Sequence, residues 1–194
     1  MRGKLASWIV ALVLAGSPLC AAQQAQLQPA PAGQGSHYIE FRVAQIGTYG
    51  HSYVAYGRLD ARGNPAEFNY ADLHPMGGYL GMAVGHVLPV PANTEWNPDV
   101  AKLPVASAYR RKLTSDEYKK ILAAVRRARA NRNPYWNGLT NNCNHFVAEL
   151  ARSIGLRVPP GLLLSYAFVP ALRDLNETDG PKVRAEGHPQ SPAL

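Results

Sequence analysis

Thr140-Asn141-Asn142-Cys143-Asn144-His145-Phe146-Val147-Ala148-Glu149-Leu150 reads as the start of a helix. Cys143, Phe146, Val147, Leu150 and Ile154 recur on one face, and Gly155 is placed to end the helix. Thr140 or Asn141 is suited to cap it, which puts Cys143 in the first turn. A thiol attacks only as its thiolate, and an ordinary pKa near ~8.5 leaves little thiolate at neutral pH. A helix start presents unpaired N–H groups and the positive dipole end to the sulfur, and a neighbouring imidazole can take its proton.

Working outward, the residues before this helix also pattern as a helix. Thr114-Ser115-Asp116-Glu117 is a capping box, and Tyr118, Ile121, Leu122, Val125 and Ala128 then share a face. The opposite side carries Lys119, Lys120, Arg126, Arg127, Arg129 and Arg132 and is expected to be a solvated face. Asn133-Pro134 breaks this helix. Beyond Val158-Pro159-Pro160-Gly161, the apolar run 162–175 predicts a packing helix broken near Pro170.

The first half patterns as strands. Ile39, Phe41 and Val43 alternate with Glu40 and Arg42, the period of a half-buried strand. The run 51–59 is rich in β-formers, and Ala61-Arg62-Gly63-Asn64-Pro65 turns it toward a second strand at 66–70. The apolar segments 83–90 and 105–113 complete the set. The expected fold is α+β, an antiparallel sheet of about five strands packed against helices.

The chain has 194 residues, enough for one domain with its own core. Arg2 and Lys4 precede an apolar run at 5–14 and the small residues around Cys20-Ala21-Ala22, the pattern of a signal peptide at 1–22. Leu19 argues against lipid modification of Cys20, and the apolar run is too short to span a bilayer. Residues 23–36 are expected to be a flexible leader, 37–175 the domain, and 176–194 a polar tail. Export predicts a periplasmic or secreted protein, for which a nucleic-acid partner is not expected.

Cleavage after Ala22 would remove Arg2 and Lys4 and reduce the net charge from +7 to +5 (18 basic against 13 acidic residues), a balance that suits encounter with an anionic envelope polymer or membrane surface. Cleavage after Ala22 removes one of the two cysteines and leaves Cys143 a lone thiol. One cysteine and scattered histidines show no metal-ligand spacing, and no glycine-rich phosphate loop is present; no cofactor is expected.

Six histidines are candidate partners for the thiol. Two helical residues turn His145 by roughly 200° from Cys143, which assigns it a structural role. His188 lies in the tail, His86 in a run that patterns as a strand, and His37 at the start of the first strand. His51 follows the turn Gly47-Thr48-Tyr49-Gly50 and opens the β-rich run, so a rigid strand end presents it.

The run Asn142-Cys143-Asn144-His145-Phe146 resembles the nucleophile segment of the PPPDE peptidases, and is similar to the corresponding run of lecithin retinol acyltransferase-like proteins. Both are circularly permuted, NlpC-type papain-like folds in which the catalytic histidine precedes the cysteine. Gly50-His51-Ser52-Tyr53-Val54-Ala55-Tyr56-Gly57 has the character of their histidine strand. The resemblance covers roughly residues 38–160. It implies Cys143 as nucleophile and His51 as base.

Asn69, on the neighbouring strand about where the acyltransferase-like families carry a second histidine, is the expected third group. Glu67 and His74 are the alternatives. The Cys143 N–H is a natural oxyanion donor. Tyr49, Tyr53, Tyr135 and Trp136 line a groove or pack in the core, the second being the commoner fate.

Three functions compete. The first is an exported thiol hydrolase of amide bonds acting on peptide or peptidoglycan. The second is a lipid acyl hydrolase or acyltransferase. The third is a binding module without turnover, against which the pairing of Cys143 with His51 argues.

Overall fold

The computed structural model describes residues 36–177, so the signal peptide, almost all of the leader and the tail beyond Glu177 lie outside the described residues. The architecture is α+β, and the strands are antiparallel. A four-stranded sheet runs in the order β3-β2-β1-β6, from β1 (His37–Ala44), β2 (His51–Arg58), β3 (Asn69–Ala71) and β6 (Val105–Leu113). A smaller three-stranded sheet joins β4 (His74–Pro75), β5 (Val90–Asn93) and β7 (Tyr135–Trp136). Among the described residues the five helices are α1 (Gly78–Gly85), α2 (Pro98–Ala101), α3 (Ser115–Ala130), α4 (Cys143–Ser153) and α5 (Ser165–Asn176).

Alternation along β1 decides how the sheet packs. Ile39, Phe41 and Val43 join Val54 and Tyr56 of β2, Ala71 of β3 and Tyr109 and Leu113 of β6 on one face. Against that face pack Ile121 and Val125 of α3, Phe146, Val147 and Leu150 of α4, and Phe168 and Leu172 of α5. Each of these fully buried large side chains removes enough apolar surface from water to favour folding by roughly 1.5–3 kcal/mol. On the other face, Ala44, Tyr53 and Val100 form a smaller cluster with Tyr70 and Trp96. The buried Glu40 carboxylate there is bonded by Arg42 and Arg110, which meets the cost of burying a charge.

Four expectations are corrected. Among the described residues the strands form two sheets, of four and of three, in place of one sheet of about five. Residues 83–90 are not a strand: Ala83, Val84 and Gly85 end α1 and a turn follows to β5. An uninterrupted apolar run fits either period, and here positive φ at Gly77 and Gly78 starts a helix. Gly85 lets the helix sit directly on the Trp136 ring, where a Cβ would come within 2.6 Å. The helix over 162–175 instead begins at Ser165 and runs through Pro170 without a break to Asn176. Asn176, placed in the tail by composition, is fixed by bonds to the Arg157 N–H and carbonyl, at 3.0 and 2.8 Å.

Among the described residues no helix is long and apolar enough to cross a membrane.

Candidate active site

The helix start that decided the sequence reading is built from side-chain hydrogen bonds. Its cap is Asn142, one residue closer to the cysteine than expected, so Cys143 is the first residue of α4. The Asn142 side-chain oxygen accepts from the His145 N–H at 3.1 Å and lies 2.9 Å from His145 Nδ1, which in its unprotonated form accepts from the Asn142 N–H at 3.3 Å. This is a capping box with an imidazole in the place usually held by a carboxylate. His145 thus has the structural role assigned to it. Its pKa is lowered, by burial and then by the charge of Arg152, which keeps the ring neutral and able to accept.

Asn144, on the next turn position, ties three segments together. Its side-chain oxygen accepts from Ser52 Oγ at 2.7 Å and Ser165 Oγ at 3.0 Å, and its Nδ2 donates to the Leu163 carbonyl at 2.6 Å. Asn142 Nδ2 donates to the carbonyls of Gly138 and Gly161 at 2.8 and 3.1 Å. Gly161 is held so close to the His145 ring that a Cβ would come within 2.7 Å of it. Every residue from Asn142 to Phe146 therefore fixes the position of the thiol or supplies it, with Phe146 anchored in the core.

His51 opens β2 directly after Gly50, whose φ of 67° closes the turn. Its Nε2–H donates to Asp72 Oδ2 at 2.9 Å, which leaves Nδ1 as the ring nitrogen for the thiol, with which His51 is electrostatically coupled. His74 Nδ1–H donates to the same Asp72 oxygen at 3.1 Å. Ser165 Oγ lies 3.6 Å from Cys143 Sγ.

The electrostatics follow from these contacts. Burial on its own raises the Cys143 pKa, but the hydrogen bond and charge of His51 and the bonds from Ser52 outweigh it, bringing the thiol from 9.0 down to about 6. Burial likewise disfavours a charged His51, but the bonds to Asp72 and Cys143 and their charges outweigh it and raise the ring to about 10. Asp72 is fully buried; burial opposes its charge, and the bonds from His51 and His74 overcome this and hold its carboxyl below the usual range. Between these limits the group is a thiolate, an imidazolium and a carboxylate.

The acceptor on His51 is Asp72, not Asn69. The β2–β3 register sets Asn69 opposite Tyr56, five residues from His51, or roughly 17 Å along an extended strand. Asn69 is exposed. Glu67 is also exposed and faces Arg58 at 3.6 Å, while His74 reaches His51 only through Asp72. The missed signal is a second alternation: Ala71 and Leu73 enter the core, so Tyr70, Asp72 and His74 share the opposite face, the face of His51 and Tyr53.

Of the aromatic candidates, Tyr53 and Trp136 are buried, and Tyr53 stacks beside His51 with ring centroids 6.4 Å apart. Tyr49 and Tyr135 are exposed. His86 caps the end of α1 and its Nδ1–H donates to the Met82 carbonyl at 2.7 Å, while His37 stacks on Tyr118. His188 lies outside the described residues.

The N–H groups of Cys143 and Asn144, the first two residues of α4, have no acceptor within their helix, the kind of donor an oxyanion needs. Comparison with family models, with curated proteins and with solved structures finds no match to this chain.

Proposed function

We propose that the protein is a cysteine hydrolase in which Cys143 is the nucleophile, His51 the proton carrier and Asp72 the group that orients and charges His51. The observation that carries this reading is the His51–Asp72 hydrogen bond coupled to Cys143, the three groups standing at a helix start, a strand start and just past a strand end. A buried carboxylate on one ring nitrogen and a thiol at the other fix the tautomer and stabilise the imidazolium.

The chemistry balances on these groups. The Cys143 thiolate attacks a carbonyl carbon, forming the S–C bond, and the carbonyl electron pair moves to oxygen, facing the first-turn N–H groups. His51 gives its proton to the leaving amine as the C–N bond breaks. Water then attacks the thioester and His51 takes a proton from it. The C–S bond breaks, releasing the acid and restoring the ion pair.

The chain order, histidine strand before cysteine helix, agrees with a permuted NlpC-type papain-like fold of the PPPDE and lecithin retinol acyltransferase-like kind. With the export pattern at the N-terminus, the substrate proposed is an amide of an envelope peptide, cell-wall peptide foremost. A second reading, in which a lipid acyl group is hydrolysed or transferred, is favoured by one observation: the segments around Cys143 carry no charge between 133 and 148 or between 158 and 172.

The test is alkylation of the thiol as a function of pH, followed by mass spectrometry of digested cell wall and of acyl lipids. A reactive thiolate with an apparent pKa near 6, lost in His51→Ala, supports the pair. A thiol titrating at its ordinary value and indifferent to His51 overturns it. New peptide termini support the amide reading, and released fatty acid supports the second.

A further inference from the structure

Among the described residues, the exposed large hydrophobic side chains are not scattered. All but Phe68 and Val105 fall in four segments, 46–49, 76–88, 135–139 and 162–164. Hydrogen bonds join these segments around the start of α4. Asn137 Nδ2 and the Gly138 N–H donate to the Gly85 carbonyl at 3.1 and 3.0 Å, tying α1 to the strand that leads to Cys143. The Ser165 N–H donates to the Tyr49 carbonyl at 2.9 Å, and Asn144 holds Leu163. Tyr49 meets His86 with ring centroids 5.5 Å apart, which closes the ring of segments.

The same segments are without charge. Residues 43–50, 73–94, 133–148 and 158–172 include no Asp, Glu, Lys or Arg, although the whole chain has 20 basic and 13 acidic residues. The most prominent piece is α1 with the turn after it. Tyr79 is 97% exposed, Val87 78% and Leu80 75%, while Gly85 alone of α1 is buried. An amphipathic surface helix turns its apolar side inward; α1 turns its apolar side chains to solvent.

We infer that this rim is a membrane-docking face, on which Tyr79, Leu80 and Val87 enter the headgroup and acyl boundary of a bilayer and bring the mouth of the Cys143 site to the lipid surface. An exposed apolar patch of this extent marks a binding face. The four uncharged segments expose polar groups such as Gln45, Thr48 and Thr140 but no ionic one, so a protein partner would meet no ion-pairing rim here. A bilayer asks for the opposite: apolar side chains at the centre and amphipathic rings at the level of the headgroups, which Tyr49, Tyr79, Tyr135 and His86 provide. The net charge of +7 favours approach to an anionic surface, and insertion then depends on apolar area.

This docking does not use the thiol, so it stands or falls apart from the hydrolase reading. The experiment takes the full chain, the Cys143→Ser chain and a Leu80→Ser, Val87→Ser double variant. Each is mixed with phosphatidylcholine vesicles, with and without phosphatidylglycerol, at low and high salt. Vesicle sedimentation gives partitioning, and amide exchange over 76–90 locates contact independently of the N-terminal apolar run.

Protection of 76–90 on both vesicle types, kept at high salt and in Cys143→Ser, is expected. Partitioning through this face should fall roughly tenfold per substituted side chain. The two substitutions are at exposed positions, and an unchanged melting temperature verifies the fold of the variant. Binding only to phosphatidylglycerol vesicles, abolished by salt, assigns the affinity to basic charge and overturns the proposal. Protection that needs no vesicle and rises with protein concentration assigns the face to a second copy and overturns it too. So does unchanged exchange over 76–90 under every condition.

Discussion

Among the described residues two helices begin with a capping box, and only one of them presents a reactive group. In α3, Thr114 Oγ1 accepts from the Glu117 N–H at 3.2 Å and the Glu117 carboxylate accepts from the Thr114 N–H at 2.7 Å. Asp116 adds a second carboxylate to that turn. In α4, Asn142 and His145 make the same pair of bonds, and the first turn has no acid. A carboxylate at a helix start neutralises the positive dipole end and stabilises the helix. Using a neutral imidazole instead satisfies the backbone while leaving that positive end for the sulfur of Cys143. The difference between the two starts is thus one of where the negative charge sits, on the cap or on the nucleophile.

The sharpest way to break this contrast is to remove what charges the sulfur. His51→Ala takes away the hydrogen bond and charge that do most to oppose the cost of burying the thiolate. The Cys143 pKa is expected to rise from about 6 to its ordinary range or above, since burial then acts with less opposition. Turnover should fall roughly 10²–10⁴-fold, as for loss of a positioned proton carrier. In the unmodified protein, activity should rise with pH as the thiol ionises near about 6, and fall as the imidazolium loses its proton near about 10. These two limbs belong to the coupled pair, and a pH–rate profile of kcat/KM measures them.

Asp72→Asn is the next largest perturbation. It keeps the shape but removes the charge that raises His51, and an amide can turn its NH₂ toward Nε2. The upper pH limb should move down, and turnover should fall roughly 10²- to 10³-fold because the wrong tautomer is favoured. Asn69→Ala, at an exposed position away from His51, should change neither. A profile in which Asn69 matters and Asp72 does not would return the third role to Asn69.

Cap removal separates stability from reactivity. Thr114→Ala and Asn142→Ala should each cost about 1 kcal/mol of unfolding free energy by denaturant titration. Only Asn142→Ala should also slow alkylation of Cys143, by a few-fold, because Asn142 Nδ2 holds Gly138 and Gly161 beside the site. Equal alkylation rates in the two variants would make α4 a helix start like any other.

The legibility of these regions in the sequence follows the same division. The α3 start was readable outright, because Thr114 and Glu117 have one local role each and their spacing declares it. The α4 helix, its cysteine at the first turn and its end before Gly155 (φ 80°) were readable for the same reason, with the cap displaced by one residue. The acceptor on His51 was not, since Asp72 lies 21 residues away and meets it only once β2 and β3 pair; the alternation at 70–74 gives the face of Asp72 but not its partner. Nor was α1 legible. Its apolar residues face out, so neither the helical nor the strand period applies to it.

The smallest expected effect is the most direct exchange of one helix start for the other. His145→Glu gives α4 the box of α3, and a carboxylate accepts from the Asn142 N–H as well as an imidazole does or better. Stability should therefore be unchanged or gain a few tenths of a kcal/mol. The ring packs against Gly161, and a Glu side chain is slimmer than the ring it replaces, so the fit survives. The added negative charge two residues from Cys143 competes with the thiolate for the same dipole end, and at this range it should lift the thiol pKa by about half a unit. Alkylation below pH 7 should slow a few-fold while the rate at high pH stays the same. A variant that titrates like the unmodified protein would show that His51 and Ser52 alone charge the sulfur. The neutral imidazole at position 145 would then be a matter of packing against Gly161.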